Sequence, residues 1–328
     1  MRMVKSAQCS FVWALFFALT ASSATANETY PNRPVKMVVG FAAGGIGDVM
    51  GRLIGQSLQQ KLGQPFVVEN RPGGDGVVGM REAMRAPPDG YTLLVGGLGA
   101  QIIPQLMRED FPVDTRSDLV KIAITGIFPN VVTVTNGLPV NSVKELIAYA
   151  KARPGQLNFG SGGRVASDRL VAELFMLETG TKMVNVPYKG GGPAMNDLIG
   201  GTVQVMFPQL PIVLAAAQGR QVKALAVTTN NRLAQLPNVP TLSETALPGF
   251  NVGGWNALYG PRGLPDNIRD TISKALLAAL KEPELASRFG KLGVQPIGIG
   301  AADATAYFDA EFERWKKVID MAGLKLQK

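Results

Sequence analysis

The sequence predicts an exported α/β protein built as two units, and three observations predict it. Short apolar strands alternate with amphipathic helices along the whole chain after an N-terminal leader. Three times a strand runs into a glycine-rich loop that opens a helix. Histidine is missing throughout, and the single cysteine, Cys9, lies in the leader.

The leader comes first in the chain. Arg2 and Lys5 form a basic start, Phe11–Leu19 is a short apolar run, and Ala24-Thr25-Ala26 is a small-x-small cleavage site. This is the pattern of a secretory signal peptide cut after Ala26. The run is too short for a membrane span, which needs about 20 residues. No twin-arginine pair precedes it, and Cys9 stands before the run instead of at its cleavage end, which argues against a lipoprotein. The mature chain is then 328 − 26 = 302 residues, room for two ordinary domains. Losing Arg2 and Lys5 takes the formal charge from +8 to +6. The charge is spread without a long basic run, so nucleic acid is not indicated. Without cysteine or histidine there is no disulfide, no thiolate, no Ser–His pair and no ordinary zinc site.

The elements follow in order. Val35–Val39 reads as a strand, residues 47–62 as a helix with Val49, Leu53, Ile54, Leu58 and Leu62 on one stripe, and Phe66–Glu69 as a strand. A short helix at 79–85 and the turn Pro87-Pro88-Asp89-Gly90 lead to a strand at 91–95. A second unit starts near Pro129, with strands at 131–135, 157–160, 184–186, 203–207 and 222–228. Helices at 143–152, 167–178, 193–199 and 212–218 alternate with them. Ser142 followed by Glu145 predicts a capping box. A strand near 255–259 and helices at 266–280, 284–292 and 302–322 close the chain. In the last helix Tyr307, Phe308, Phe312, Trp315 and Ile319 form a core stripe.

The three loops are Phe41-Ala42-Ala43-Gly44-Gly45-Ile46-Gly47-Asp48, Gly160-Ser161-Gly162-Gly163-Arg164-Val165-Ala166-Ser167 and Tyr188-Lys189-Gly190-Gly191-Gly192-Pro193. A helix N-terminus carries unpaired N–H donors and partial positive charge, and glycines let an anion reach them. Anion binding and plain structural turns are the two readings, and three such loops in one chain favour the first. A rival is a dinucleotide fingerprint, Gly45-x-Gly47-x-x-x-Gly51 with Glu69 as the ribose acid, but its third glycine sits one place late. Asp48 reads equally as a first-turn carboxylate and as a ligand contact. Arg164 reads as a carboxylate partner or as solvated surface, and Arg169, inside the helix, as surface. Trp255 reads as core tryptophan or pocket wall.

At these residues the chain resembles the Bug family of periplasmic substrate-binding proteins, receptors of tripartite tricarboxylate transporters. The carrying motifs are Tyr30-Pro31-x-Arg33-Pro34-Val35, Val39-Gly40-Phe41-Ala42-Ala43-Gly44-Gly45-x-x-Asp48 and Val68-Glu69-Asn70-Arg71-Pro72-Gly73. Further along stand Pro88-Asp89-Gly90-Tyr91-Thr92-Leu93-Leu94, Val186-Pro187-Tyr188-Lys189-Gly190, Asp197-Leu198-Ile199-Gly200-Gly201 and Ala224-Leu225-Ala226-Val227-Thr228. The resemblance implies a two-lobed, type-2 periplasmic binding fold, a Venus-flytrap whose lobes are joined by two crossing hinge strands. Lobe one would be 27–127 plus 250–328 and lobe two 128–249. It implies no catalysis and no cofactor, but capture of a small organic carboxylate by Phe41, Ala43, Gly44, Gly45 and Asp48 of the first loop and Ser161, Gly162, Gly163, Arg164 and Ser167 of the second, with Trp255 nearby. The implied protein is a periplasmic monomer that serves the membrane subunits of such a transporter.

Several positions depart from the family pattern. Ala43 stands where proline is usual and Gly47 where a hydroxyl residue is usual. Arg164, Val165, Ala166 and Asp168 replace small polar residues, and Pro208-Gln209 replaces a polar pair. These changes make the pocket less polar and favour a di- or aromatic carboxylate. Two other functions stay open: an extracytoplasmic sensor, and an exported dinucleotide-dependent oxidoreductase.

Overall fold

The structure, a computed structural model, describes residues 30–325 other than Gly45, Arg164, Val165 and Lys189. The expected leader, and the expected contacts of Gly45 and Arg164, lie outside the described residues.

The first part of the chain runs β1 (Val35–Val39), α1 (Ile46–Leu62), β2 (Phe66–Asn70), α2 (Val77–Arg85), β3 (Thr92–Gly97), a π-helical turn at Leu98–Ile102, α3 (Ile103–Met107) and β4 (Leu119–Pro129). The second part runs β5 (Val131–Thr135), α4 (Val143–Ala152), β6 (Asn158–Ser161), α5 (Ser167–Thr179), β7 (Val184–Pro187), α6 (Gly191–Ile199), β8 (Val205–Met206), α7 (Leu210–Gln218), β9 (Val222–Val227) and α8 (Leu242–Thr245). The chain then returns through β10 (Gly253–Pro261), α9 (Asp266–Leu280), α10 (Pro283–Lys291), β11 (Gln295–Ile299) and α11 (Ala301–Met321).

Two sheets result. One has the order β11-β4-β10-β3-β1-β2 and the other β7-β6-β8-β5-β9. Strands β1, β2 and β3 pair in parallel, as do β6, β7 and β8, because each is followed by a helix that packs back on the sheet. The returning β10 runs antiparallel between β3 and β4. The chain crosses between sheets twice. The outward crossing is abrupt, since only Asn130 separates β4 from β5. Buried Thr228 ties the two crossings together: its amide donates to the Asn130 carbonyl (3.0 Å), its hydroxyl accepts from the Asn130 amide (3.1 Å), and the same hydroxyl donates to the Val252 carbonyl (2.6 Å).

Most predicted elements are present within a residue or two. Ser142 caps α4 by accepting from the Glu145 amide, while Glu145 reaches back to the Asn141 amide and not to the Ser142 amide, so half of the expected box forms. A complete capping box forms instead at Thr241 and Glu244, on α8, a helix outside the sequence expectations. Strands β4 and β11 also lie outside them. Strand β4 is buried almost throughout and shows no alternation. It also contains Lys121, whose ammonium is capped by the carbonyls of Thr115 (3.1 Å), Arg116 (2.6 Å) and Leu119 (3.0 Å). Burial pushes that lysine down to about 8. On α11 the stripe Phe308, Phe312, Trp315 and Ile319 is buried as expected, with Tyr307 packed against its edge.

Candidate functional site

A cleft of about 460 Å³ opens between the two sheets. Its floor is the end of β3 and the start of β10: Val95, Gly96, Gly97, Gly254, Trp255 and Asn256, with Phe128 of β4. One side is Phe41 with Ile46 and Gly47, the first residues of α1. The other is Ala166 and Ser167, where α5 begins. Gln209, which precedes α7, completes the wall. The first turns of α1 and α5 carry backbone N–H groups that no preceding turn can accept, so both helices turn donors and partial positive charge toward the same space. A second cavity, of about 430 Å³, lies between α5, α11 and residues 247–252 and touches none of the glycine loops.

The first loop is braced from behind. Gly44 takes a left-handed conformation (φ 82°), open to glycine without strain, and its amide donates to Asp48 Oδ2 at 2.9 Å. Arg52, one turn further along α1, holds the other carboxylate oxygen at 2.9 Å. Asn70 at the end of β2 donates to the Phe41 carbonyl (3.0 Å). The Arg52 guanidinium first, then the Gly44 amide, hold the Asp48 carboxyl below the usual carboxylate range against the opposing effect of burial. The Asp48 carboxylate thus braces its own loop.

The second loop repeats the device with a difference. The Gly162 amide donates to Asp168 Oδ2 at 2.8 Å, and the Arg169 amide to Oδ1 at 2.9 Å. Burial dominates here and raises the Asp168 carboxyl. Ser161 is fully buried and turned away from the cleft: its hydroxyl accepts from Asn185 Nδ2 (2.9 Å) and donates to the Gly163 carbonyl (3.3 Å). Arg169 is not surface. Its side chain is only 17 % exposed and lies 3.6 Å from Glu173.

The two aspartates predict unequal responses to the same substitution. Asp48→Asn is expected to lower the melting temperature at pH 7, and the gap from the parent should narrow as pH falls from about 4 through the lowered value of the folded carboxyl. Asp168→Asn is expected to lose less at pH 7, because it turns an NH2 toward one of two backbone donors but also removes a charge that burial penalises. A carboxyl raised in the folded state gives its stability only below the usual range and loses it as pH rises through the raised value. Melting curves of both variants from pH 3 to 8 check this. Equal losses for both at pH 7 would contradict it.

No described residue of the third glycine loop lines the cleft. The loop packs behind the second: the Tyr188 amide donates to the Ser161 carbonyl (2.9 Å) and the Gly190 amide to the Gly162 carbonyl (3.1 Å). Of the predicted residues, Phe41, Ser167 and Trp255 lie on the cleft lining, with Gly44, Gly162 and Gly163 in the loops behind. Trp255 is both core and wall. It is buried, its indole N–H donates to Glu311 Oε2 (3.0 Å), and its ring meets Tyr307 and Phe308 edge-on. The sequence reading missed Gly96, Gly97, Gly99 and Ala100, a fourth small-residue stretch after a strand, and also Asn256, while Gln209, named among the departures that shape the pocket, does line the cleft. The run Gly96-Gly97-x-Gly99 was available as a signal of the same kind as the other loops. Gly51 and Glu69, the remaining dinucleotide signals, are occupied. A Cβ on Gly51 would meet Val39 and Val68 at 3.3 Å, and Glu69 pairs with Arg71 at 2.9 Å.

Two α/β lobes joined by two crossings, with opposed helix N-termini across an apolar-floored cleft, define a solute-binding protein of the type-2 architecture. Residues 50–324 match the tripartite tricarboxylate transporter family receptor (TctC) profile, and the chain belongs to this family. It is 35 % identical over 319 residues to Protein BugT of Bordetella pertussis, covering 96 % of this chain and 98 % of BugT. Among solved structures it is similar to R. palustris Rpa4515 with adipate (33 % identity, TM-score 0.75, covering 90 % of this chain and 98 % of that one). It is similar also to MatC of Rhodopseudomonas palustris with bound malate (29 %, TM-score 0.70, 88 % and 100 %) and to the periplasmic binding protein BugD (32 %, TM-score 0.71, 91 % and 100 %). Receptors of this family are periplasmic binding proteins and not enzymes, which sets the oxidoreductase reading aside. No helix among the described residues is long and apolar enough to cross a membrane.

Proposed function

We propose that this receptor captures a small organic carboxylate, a di- or aromatic acid being favoured, and delivers it to the membrane subunits of a tripartite tricarboxylate transporter. The observation that carries the reading is the convergence of α1 and α5 on one cleft of about 460 Å³ whose walls include Phe41, Val95, Phe128 and Trp255. A carboxylate meets backbone donors at the helix ends while its body lies on apolar surface. Loop residues Phe41, Ala43, Gly44, Gly45 and Asp48 on one side and Ser161, Gly162, Gly163, Arg164 and Ser167 on the other would shape that contact, Asp48 and Ser161 by bracing the loops. The lobes, dividing near residues 128 and 250, would close about the Thr228 knot because a ligand touching both loops stabilises the closed state. The leader would direct export and be cut after Ala26.

The relatives solved with adipate and with malate set the first probes. Thermal unfolding of the purified protein with adipate, malate, benzoate and terephthalate is expected to show a rise for at least one acid. A ligand at 100 times its Kd adds about 2.7 kcal/mol. A rise with neutral sugars or amides and with no acid would overturn the carboxylate reading.

A further inference from the structure

We propose that Asn256 reads the end of the ligand that lies on the cleft floor, and that it selects an acid carrying a hydroxyl group there. The inference rests on the carboxylate reading and narrows it.

Asn256 lies on the cleft lining and is only 5 % exposed, yet its side-chain oxygen has no hydrogen-bond partner. A buried carboxamide left unpaired is costly, so a native protein keeps one where something else completes it. The local backbone holds it there. Strand β4 bulges opposite it: Asn256 pairs with Gly126 and Ala257 with Ile124, which leaves Thr125 as the extra residue. The Thr125 hydroxyl donates to the Asn256 carbonyl (3.2 Å) and pins the bulge. Bulges of this kind re-aim a side chain beside a site. Trp255, the preceding residue, sends its ring to α11, so strand alternation puts the Asn256 side chain on the opposite face of the sheet, with Val95 and Phe128.

No other described residue of the floor competes for the ligand. Gly96, Gly97 and Gly254 have no side chain, and Val95 and Phe128 have no polar atom. The Gln101 carboxamide oxygen, beneath Gly97, is taken by the Gly97 amide. Gln209, the other carboxamide on the lining, is only partly buried and water can reach it. No charged side chain stands among the described lining residues.

These facts rank the groups that could sit against Asn256. A bare methylene or ring C–H leaves the carboxamide unpaired. A second carboxylate would be desolvated against a floor whose described residues include no cation. A hydroxyl both donates and accepts, so it satisfies the carboxamide whichever end faces the cleft. The ligand class is therefore an acid whose carboxylate meets the helix ends and whose apolar body carries a hydroxyl.

Calorimetric titration with matched acids tests this: benzoate against 3- and 4-hydroxybenzoate, and hexanoate against 6-hydroxyhexanoate. The protein is expected to bind one hydroxylated acid at least about 10-fold tighter than its parent. Asn256→Leu should bring that ratio near one by weakening only the hydroxylated acid. Asn256→Ser, a milder change, should lower the ratio part-way and carries the test if the leucine variant does not fold. A ratio near one in the unsubstituted protein, or one that survives in the folded variants, overturns the assignment. So does a protein that binds adipate but none of these hydroxylated acids, and that outcome leaves the carboxylate reading standing. Binding of no carboxylate at all removes both.

Discussion

Gly97→Ala is expected to cost more than about 4 kcal/mol, enough to unfold much of the protein at ordinary temperature. A Cβ at Gly97 would stand 1.9 Å from the Trp255 carbonyl oxygen and 3.0 Å from the Asn256 Cα, both backbone atoms of the paired strand β10. No rotamer relieves a clash with backbone. The β3–β10 pair would have to part, and β10 also carries the contact with β4 that closes the middle of the sheet. Gly99 supplies the control, because a Cβ there would meet nothing within 4 Å. Gly99→Ala should stay within about 0.5 kcal/mol of the parent, as surface substitutions do. Both residues line the cleft, so this control separates loss of fold from crowding of the ligand space. Urea unfolding of the two variants measures it. A Gly97→Ala protein as stable as Gly99→Ala would mean that the floor is not packed as described.

Glu311→Ala is expected to lose about 3 kcal/mol. Buried Glu311 accepts two indole N–H groups on one oxygen, from Trp255 (3.0 Å) and Trp315 (3.1 Å), while its other oxygen meets Arg314 at 2.7 Å. Truncation leaves both indole donors buried without an acceptor, at about 1–3 kcal/mol each. Glu311→Gln keeps one oxygen and should lose less than half as much. The readout is direct, since Trp13, Trp255 and Trp315 are the chain's three tryptophans and Trp13 lies in the leader. Fluorescence of the protein without its leader therefore comes from the pair on Glu311, beside the cleft. The alanine variant should shift the emission maximum in the folded state and lower the unfolding midpoint. An unchanged midpoint would show that the indoles find other partners.

The alternation of strands and helices, the glycine loops and the helices they open are legible in the chain. These depend on local physics: period, capping and the freedom of glycine at positions such as Gly44. Which loops meet depends on long-range packing. Three glycine loops read alike in the chain, but Tyr188 and Gly190 of the third pair with the backbone of the second, and no described residue of the third lines the cleft. The floor was hidden for the same reason. Its residues come from β3, β4 and β10, far apart in sequence and joined only by sheet pairing. Strand β4 escaped detection because burial on both faces erases alternation and because Lys121 breaks the apolar run. Only the folded chain shows three carbonyls gathered to hold that ammonium. Asn256 is an ordinary polar residue in the chain. The bulge at Thr125 and the burial of Trp255 on the other face are what place its carboxamide on the cleft floor, because a side chain's direction in a sheet is set by its pairing and not by its neighbours in sequence.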